Sequence, residues 1–127
     1  MERIVVVDGA NVVGSRPDGW WKDRVGAARR LRDHLEDWIA DQPEGVSGVI
    51  LVVEGAARPV AEDDRGDVYV LAAPGSGDDT IVERAEASAS VGPTVVVTAD
   101  RALRERVHAV GAETESPSWL WSQLDAV

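Results

Sequence analysis

The fold is decided by one stretch of sequence, Ile4-Val5-Val6-Val7-Asp8-Gly9-Ala10-Asn11. Its four consecutive β-branched residues predict a strand that is buried on both faces, as in the middle of a parallel sheet. Gly9 supplies the flexibility for a turn directly after that strand. In open α/β sheets, ligands bind in the crevice outside the carboxyl ends of the strands. Asp8 and Asn11 therefore occupy the position at which we expect a functional site.

The composition predicts one folded domain over residues 1–127, because 44% of the residues are hydrophobic. There is no cysteine, which excludes disulfides, thiolate nucleophiles and cysteine-ligated zinc, and the chain has only two histidines. No apolar run approaches the roughly 20 residues of a membrane span, and no signal peptide precedes the first predicted strand. We therefore expect a cytoplasmic protein that has no membrane partner.

The charge is strongly acidic, with 23 acidic and 13 basic residues and a formal net charge of −10. Nucleic-acid binders usually show a basic surface, because counterion release supplies much of their affinity. Thirteen basic residues can still form a local patch, and a bound cation would account for part of the acidic excess. The net charge thus weighs against a nucleic-acid partner without excluding one.

Predicted strands alternate with predicted helices along the chain. Hydrophobic periodicity predicts strands over 3–7, 46–53, 67–73, 94–98 and 112–114, helices over 20–40, 78–90, 102–110 and 117–124, and loops over 12–19 and 55–66. This alternation predicts an α/β fold with a mostly parallel sheet of about five strands, which is covered on both faces and connected by right-handed crossovers.

Acidic residues follow the predicted strands. Asp8 ends the first strand, Glu54 follows the second, and Asp100 follows the fourth. A glycine loop after the third strand leads to Asp78-Asp79 at a helix start. Each acid alone could be a turn or helix-start residue, but parallel strands bring all of them to one edge. Their mutual repulsion predicts a divalent cation, and oxygen ligands favour Mg²⁺ or Mn²⁺, which suits phosphodiester hydrolysis.

The sequence also resembles the NYN domain of the PIN-like ribonuclease superfamily, most closely its YacP-like bacterial branch. The segments that carry the resemblance are Asp8-Gly9-Ala10-Asn11, Glu54, Gly77 to Arg84, and Val97-Thr98-Ala99-Asp100-Arg101. They occur in this order over nearly the whole chain. The resemblance implies a three-layer α/β/α, Rossmann-like fold and a metal-dependent ribonuclease, with RNA as substrate and Mg²⁺ or Mn²⁺ as cofactor. It leaves open whether RNA would be cut internally or from an end.

The resemblance implies roles for individual acids. Asp8, Asp100 and one of the pair Asp78 and Asp79 would be catalytic acids of the metal site, and both members of the pair are retained. Asp79 lies four residues before Glu83, which is the spacing of this branch, so Asp79 joins Asp8 and Asp100 in the expected metal set. Glu54 stands where the family more often has aspartate. Its extra methylene leaves both direct ligation and a supporting role open.

Five residues are candidates for substrate contacts: Asn11, Ser15, Arg16, Lys22 and Arg101. Arg101 directly follows Asp100 and could contact a phosphate, and the residues after the first strand could do the same. Asn11 would contact a metal-bound water, the substrate or a neighbouring acid. Trp20 and Trp21 could stack on an unpaired base, although we favour a packing role for one of them.

Other classes of protein fit less well. The dinucleotide-binding G-x-G-x-x-G, the phosphate-binding P-loop and the nucleophile elbow are missing from the sequence. An aspartyl phosphatase would have a second acid two residues after Asp8, where this chain has Ala10. The main alternative is a PIN-like module that binds RNA or a protein without cutting, which the acidic charge and Glu54 favour. PIN-like domains often dimerise, and the apolar segment Trp119-Leu120-Trp121 could form a homodimer interface or cap the sheet.

Overall fold

The structure is a computed structural model that describes residues 2–63 and 66–127. Its centre is a five-stranded parallel sheet with the order β3-β2-β1-β4-β5. The strands are β1 (Arg3–Asp8), β2 (Val46–Val53), β3 (Val68–Ala72), β4 (Thr94–Val97) and β5 (Glu113–Glu115). The α-helices are α1 (Gly9–Gly14), α2 (Arg24–Ala40), α3 (Gly77–Ala89), α4 (Arg101–Ala109) and α5 (Pro117–Asp125). The predicted strands and the parallel sheet are confirmed.

Helices cover both faces of the sheet. Side chains along a strand alternate between its faces, so Val5 and Val7 of β1 pack into one layer and Val6 packs into the other. The first layer contains buried residues of α1, α2 and α5, and the second contains those of α3 and α4. This three-layer α/β/α arrangement confirms the predicted fold. It also brings the carboxyl ends of all five strands to one edge of the sheet.

The predicted loop over 12–19 is wrong in its first part, because α1 begins directly after β1. The Asp8 carboxylate accepts a hydrogen bond from the Asn11 N–H and thereby caps the new helix. A Cβ on Gly9 would lie 2.6 Å from the Val52 carbonyl oxygen, closer than real Cβ atoms come. Only glycine allows a helix to start this close to β2. Because α1 starts here, its N-cap residue Asp8 lies at the edge of the sheet.

Two other segments differ from the predictions. The helix predicted over 20–40 is divided into a 3₁₀ turn, Trp20–Lys22, and α2, because Asp23 leaves the helical conformation and accepts a hydrogen bond of 2.9 Å from the Gly26 N–H. The loop predicted over 55–66 contains a 3₁₀ helix, Gly55–Glu62, whose Val60 is fully buried. Residues 64 and 65 of that predicted loop lie outside the described residues.

The C-terminal segment packs on its own chain. Leu120 and Leu124 of α5 belong to the buried core, and the Trp119 ring meets the Trp38 ring of α2 edge to face at 6.3 Å. These contacts support the expectation that the segment caps the sheet. The alternative expectation, a homodimer interface, stays a prediction. Among the described helices, none combines the length and the apolar character that crossing a bilayer requires.

Candidate active site at the carboxyl edge of the sheet

Asp8 is the most buried of the predicted site acids, with 7% of the residue exposed. One carboxylate oxygen accepts a hydrogen bond of 3.3 Å from the Asn11 N–H, and the other accepts one of 2.9 Å from the Thr98 hydroxyl. Burial raises the pKa of Asp8 to about 6; the two hydrogen bonds oppose this rise, and the nearby carboxylates of Asp78 and Glu54 add to it. The Asp8 carboxylate is thus oriented by hydrogen bonds from Asn11 and Thr98 and lies near two other carboxylates, those of Asp78 and Glu54.

Thr98 and Asn11 lock the chain segments after β1 and β4 to each other. The Thr98 hydroxyl donates to Asp8 and accepts a hydrogen bond of 3.2 Å from the Asp100 N–H. The Asn11 side-chain oxygen accepts a hydrogen bond of 2.8 Å from the Ala99 N–H. Asn11 therefore contacts the backbone beside a site acid, and its predicted contact with substrate stays a prediction. Thr98 lies in the motif that carries the family resemblance, but the sequence pattern predicts no role for it.

Asp100 occupies the start of α4, where its carboxylate accepts a hydrogen bond of 3.0 Å from the Leu103 N–H. This contact is an ordinary N-cap, and it turns one oxygen toward the helix. The residue is exposed, as is Arg101 directly after it. Arg101 therefore lies at the carboxyl edge of the sheet, as the first residue of α4, and is accessible to solvent.

The structure separates the two adjacent aspartates of α3. Asp78 is half-buried, and burial raises its pKa, with further increases from the Asp100, Glu54 and adjacent Asp79 carboxylates that the Arg106 guanidinium partly opposes. Asp79 has a side chain that is 76% exposed, and it forms an ion pair of 2.8 Å with Arg106. The structure therefore brings Asp78, and not Asp79, to the other site acids. Within the described residues, neither the expected set of Asp8, Asp79 and Asp100 nor the corresponding set with Asp78 is arranged to hold a metal ion as placed.

Glu54 joins the end of β2 to the start of α3. Its carboxylate accepts a hydrogen bond from the Gly77 N–H, and a Cβ on Gly77 would lie 3.4 Å from that carboxyl group. The additional methylene of glutamate allows the side chain to reach across this gap. Glu54 therefore fixes the helix that carries Asp78, which is the supporting position that sequence reasoning left open.

Two predicted substrate contacts lie elsewhere. The Ser15 hydroxyl donates to the Val12 carbonyl at 2.6 Å and accepts a hydrogen bond of 3.0 Å from the Trp121 indole N–H. The Arg16 guanidinium pairs with Asp125 and lies 3.9 Å from the centre of the Trp121 ring. The structure thus brings Ser15 and Arg16 to α5. The remaining candidate on this side, Lys22, is exposed at the end of the 3₁₀ turn.

The site acids fit a hard cation by their chemistry, since carboxylate oxygens are the ligands that Mg²⁺ and Mn²⁺ prefer. The raised pKa values of Asp8 and Asp78 reflect burial and, in part, repulsion between neighbouring carboxylates that such a cation would relieve. As placed, however, no three His, Cys, Asp or Glu side chains within residues 2–63 and 66–127 are arranged to hold a metal ion. The carboxylates of Asp8, Glu54 and Asp100 each accept a hydrogen bond, from Thr98, Gly77 and Leu103 respectively, which fixes their orientation and leaves further lone pairs for a cation.

No protein-family model and no curated protein matches the sequence. The fold does match solved structures. Rae1 (YacP) from Bacillus subtilis aligns with a TM-score of 0.74 and 22% sequence identity, and the alignment covers 97% of this chain and 74% of that chain. A single-residue mutant of the same protein aligns with a TM-score of 0.68 at the same identity and coverage. The chain therefore has the three-layer α/β/α fold of these YacP structures.

Proposed function

We propose that this protein is a metal-dependent ribonuclease of the NYN branch of the PIN-like superfamily. The observation that supports the proposal is the grouping of Asp8, Glu54, Asp78 and Asp100 at the carboxyl edge of the sheet, where their charges influence one another. Buried or clustered acids with raised pKa values are typical of functional sites. The YacP-like motifs of the sequence and the YacP fold are consistent with each other. The proposal includes a cytoplasmic location.

Asp8, Asp78 and Asp100 would hold Mg²⁺ or Mn²⁺, with Glu54 supporting the position of Asp78. The bound cation would activate water and neutralise charge on the phosphoryl oxygens of RNA. Asp79 is left out of this set because its carboxylate pairs with Arg106. The chain's own contribution is orientation: the Thr98 hydroxyl holds the Asp8 carboxylate.

Positively charged groups beside the acids are suited to the substrate's phosphates. Arg101 is exposed next to Asp100, and the Arg106 guanidinium is close enough to lower the pKa of Asp78. A local pair of arginines at this edge reduces the objection that the net charge of −10 raises against an RNA partner. We expect these side chains to contact phosphates that flank the cleaved bond.

The test is cleavage of end-labelled single-stranded RNA with Mn²⁺ or Mg²⁺, compared with EDTA. We expect cleavage that requires the metal and falls by roughly a hundredfold or more in Asp8→Asn, since even the supporting residues of metal sites are worth about 10–100-fold. Asp37→Asn is the matched control, because Asp37 is exposed on α2 and outside the group of site acids. Equal cleavage by Asp8→Asn and the wild type would overturn the proposal.

A second candidate function is a module that binds RNA or a protein without cutting. It is favoured by one observation: the described residues contain no three acids arranged to hold a metal ion. Calorimetric titration with Mn²⁺ separates the two functions. Cleavage and Mn²⁺ binding would both be missing from a binding module, whereas the proposed nuclease shows both and loses affinity for Mn²⁺ in Asp78→Asn. Sedimentation equilibrium tests the predicted homodimer in the same samples.

A further inference from the structure

A groove of about 450 Å³ adjoins the site acids. Its lining includes Gly9 and Glu54 at the ends of β1 and β2, Ser76 before α3, Ala56 of the 3₁₀ helix, and the side chains of Trp20 and Arg24. The volume lies in the range of small-ligand sites. Of the four acids, Glu54 is part of this lining, and Asp8 and Asp78 lie one and two residues from the lining residues Gly9 and Ser76, so the groove begins beside the carboxyl edge.

Flat groups form one side of this groove. Trp20 is half-buried, and the Arg24 guanidinium lies over its ring, 5.2 Å from the ring centroid. Aromatic rings and guanidinium planes are the surfaces on which unpaired nucleic-acid bases stack. The neighbouring Trp21 stands perpendicular to Trp20 with its residue 53% exposed, and it does not line the groove.

The rest of the lining indicates what kind of group would enter. Most of the groove surface is apolar, with Val13, Ala28, Val53 and Ala57 in its lining beside Trp20, which suits an uncharged flat ring and disfavours a phosphate. The phosphate of the same nucleotide would instead lie at the carboxyl edge, where the cation and the arginines are proposed to act. Base and phosphate of one nucleotide thus have separate, adjoining places.

We propose that the groove binds one unpaired RNA base next to the phosphodiester that is cut, with Trp20 as the stacking surface. This inference rests on the proposed function and adds to it a subsite for one accessible base beside the phosphodiester. It also assigns a base-binding role to Trp20, although the sequence favours a packing role for one of the two residues Trp20 and Trp21.

The experiment measures fluorescence polarisation of a labelled oligoadenylate hexamer, in EDTA and in Ca²⁺, against a matched strand with abasic positions. The variants are Trp20→Ala, which removes the stacking surface, and Ala56→Leu, which fills the groove from an exposed position. Trp21→Ala is the control, since it removes an indole outside the groove. We expect the first two to weaken binding of the intact hexamer by about tenfold or more, and Trp20→Ala to bind intact and abasic strands alike.

Each other result contradicts the inference. Wild-type affinity in both groove variants, an equal loss in Trp21→Ala, or no binding of the hexamer by the wild type would overturn it; if Trp20→Ala does not fold, Ala56→Leu decides. The nuclease proposal fails separately. If RNA binding depends on Trp20 but there is no Mn²⁺-dependent cleavage, the base-binding groove is supported and the nuclease proposal is wrong. If cleavage depends on Asp8 but the groove variants bind RNA like the wild type, the nuclease proposal is supported and the base-binding groove is wrong.

Discussion

The two halves of the carboxyl edge are built differently. On the β1–β4 side, side-chain hydrogen bonds among Asp8, Asn11 and Thr98 and the neighbouring backbone tie two chain segments together. On the β2–β3 side, Glu54 holds the start of α3, the groove lies open, and none of the hydrogen bonds within the described part of the chain fixes the Asp78 carboxylate. The first half is a fixed frame, whereas the second has an open groove and a carboxylate, Asp78, that no hydrogen bond within the described part of the chain fixes.

Gly9→Ala should have the largest effect, because it forces the two halves apart. The new Cβ would lie 2.6 Å from the Val52 carbonyl oxygen, a backbone atom that cannot turn away. We expect a loss of about 3 kcal/mol in the free energy of unfolding, measured with urea. Gly14→Ala is the control at the other end of α1, since its Cβ would meet only the Trp20 ring at 3.9 Å. Equal stability of the two variants would contradict this account.

Asp8→Asn tests the cost of burying a charge in the fixed half. The pKa of Asp8 is about 6 in the folded protein against an ordinary value of 3.8, so between these values the folded protein keeps a proton that the unfolded chain releases. Stability therefore falls as the pH rises from about 4 to about 6 and stays lower above that range. Without divalent metals, Asp8→Asn should be more stable than the wild type by roughly 2–3 kcal/mol at pH 7 and similar to it below pH 4.

Urea unfolding at pH values from 4 to 7 measures this difference. Asparagine is itself a good helix cap, so the substitution keeps the start of α1. A stability difference between the two proteins that does not change with pH would show that the Asp8 charge is not destabilised by burial.

Thr98→Val removes the hydroxyl that connects Asp8 with the Asp100 backbone. We expect a loss of about 1–2 kcal/mol at pH 7, where the unsatisfied groups include an ionised carboxylate. Thr98→Ser keeps the hydroxyl and should retain most of the stability. Thr98→Val should cost less stability at pH 7 in the Asp8→Asn background than in the wild type, and an equal cost in both backgrounds would indicate that the two side chains do not interact.

The smallest effects distinguish the adjacent aspartates of α3. Asp78→Asn removes a charge that burial and repulsion from Asp100 and Glu54 destabilise, so it should raise the free energy of unfolding in EDTA slightly, by a few tenths of a kcal/mol. Asp79→Asn breaks an exposed ion pair with Arg106 and should leave stability unchanged or slightly lower. If instead Asp79→Asn raised the stability and Asp78→Asn did not, Asp79 and not Asp78 would lie among the other acids.

The fold was predictable because the apolar run before Asp8 allows only a buried strand and because alternating helices require parallel neighbours. The helix α1 was not, since aspartate followed by glycine is equally typical of a turn and of a helix start. What separates them is the approach of Gly9 to Val52, a contact between residues distant in sequence. The site acids were predictable as strand-end residues for the same reason as the fold.

The finer features of the site depend on geometry that the sequence does not encode locally. Asp78 and Asp79 are adjacent, and a shift of one residue in the start of α3 exchanges which of them points inward. Thr98 is indistinguishable from any β-branched residue in a strand until Asp8 is seen beside it. Hydrophobic periodicity predicts one continuous helix that includes Trp20, although Asp23 is a typical N-cap residue and divides that segment.

The central place of β1 has a consequence for the newly made chain. β1 is synthesised before its neighbours, yet it pairs with both β2 and β4, and Asp8 meets its partner Thr98 across a separation of 90 residues. At about 5–20 residues per second, roughly 5–20 s pass on the ribosome between the two. During that interval an apolar strand has an uncovered edge open to chaperones. The carboxyl edge is thus assembled late, and a product that stops before β4 lacks Thr98 and Asp100 and therefore half of this edge.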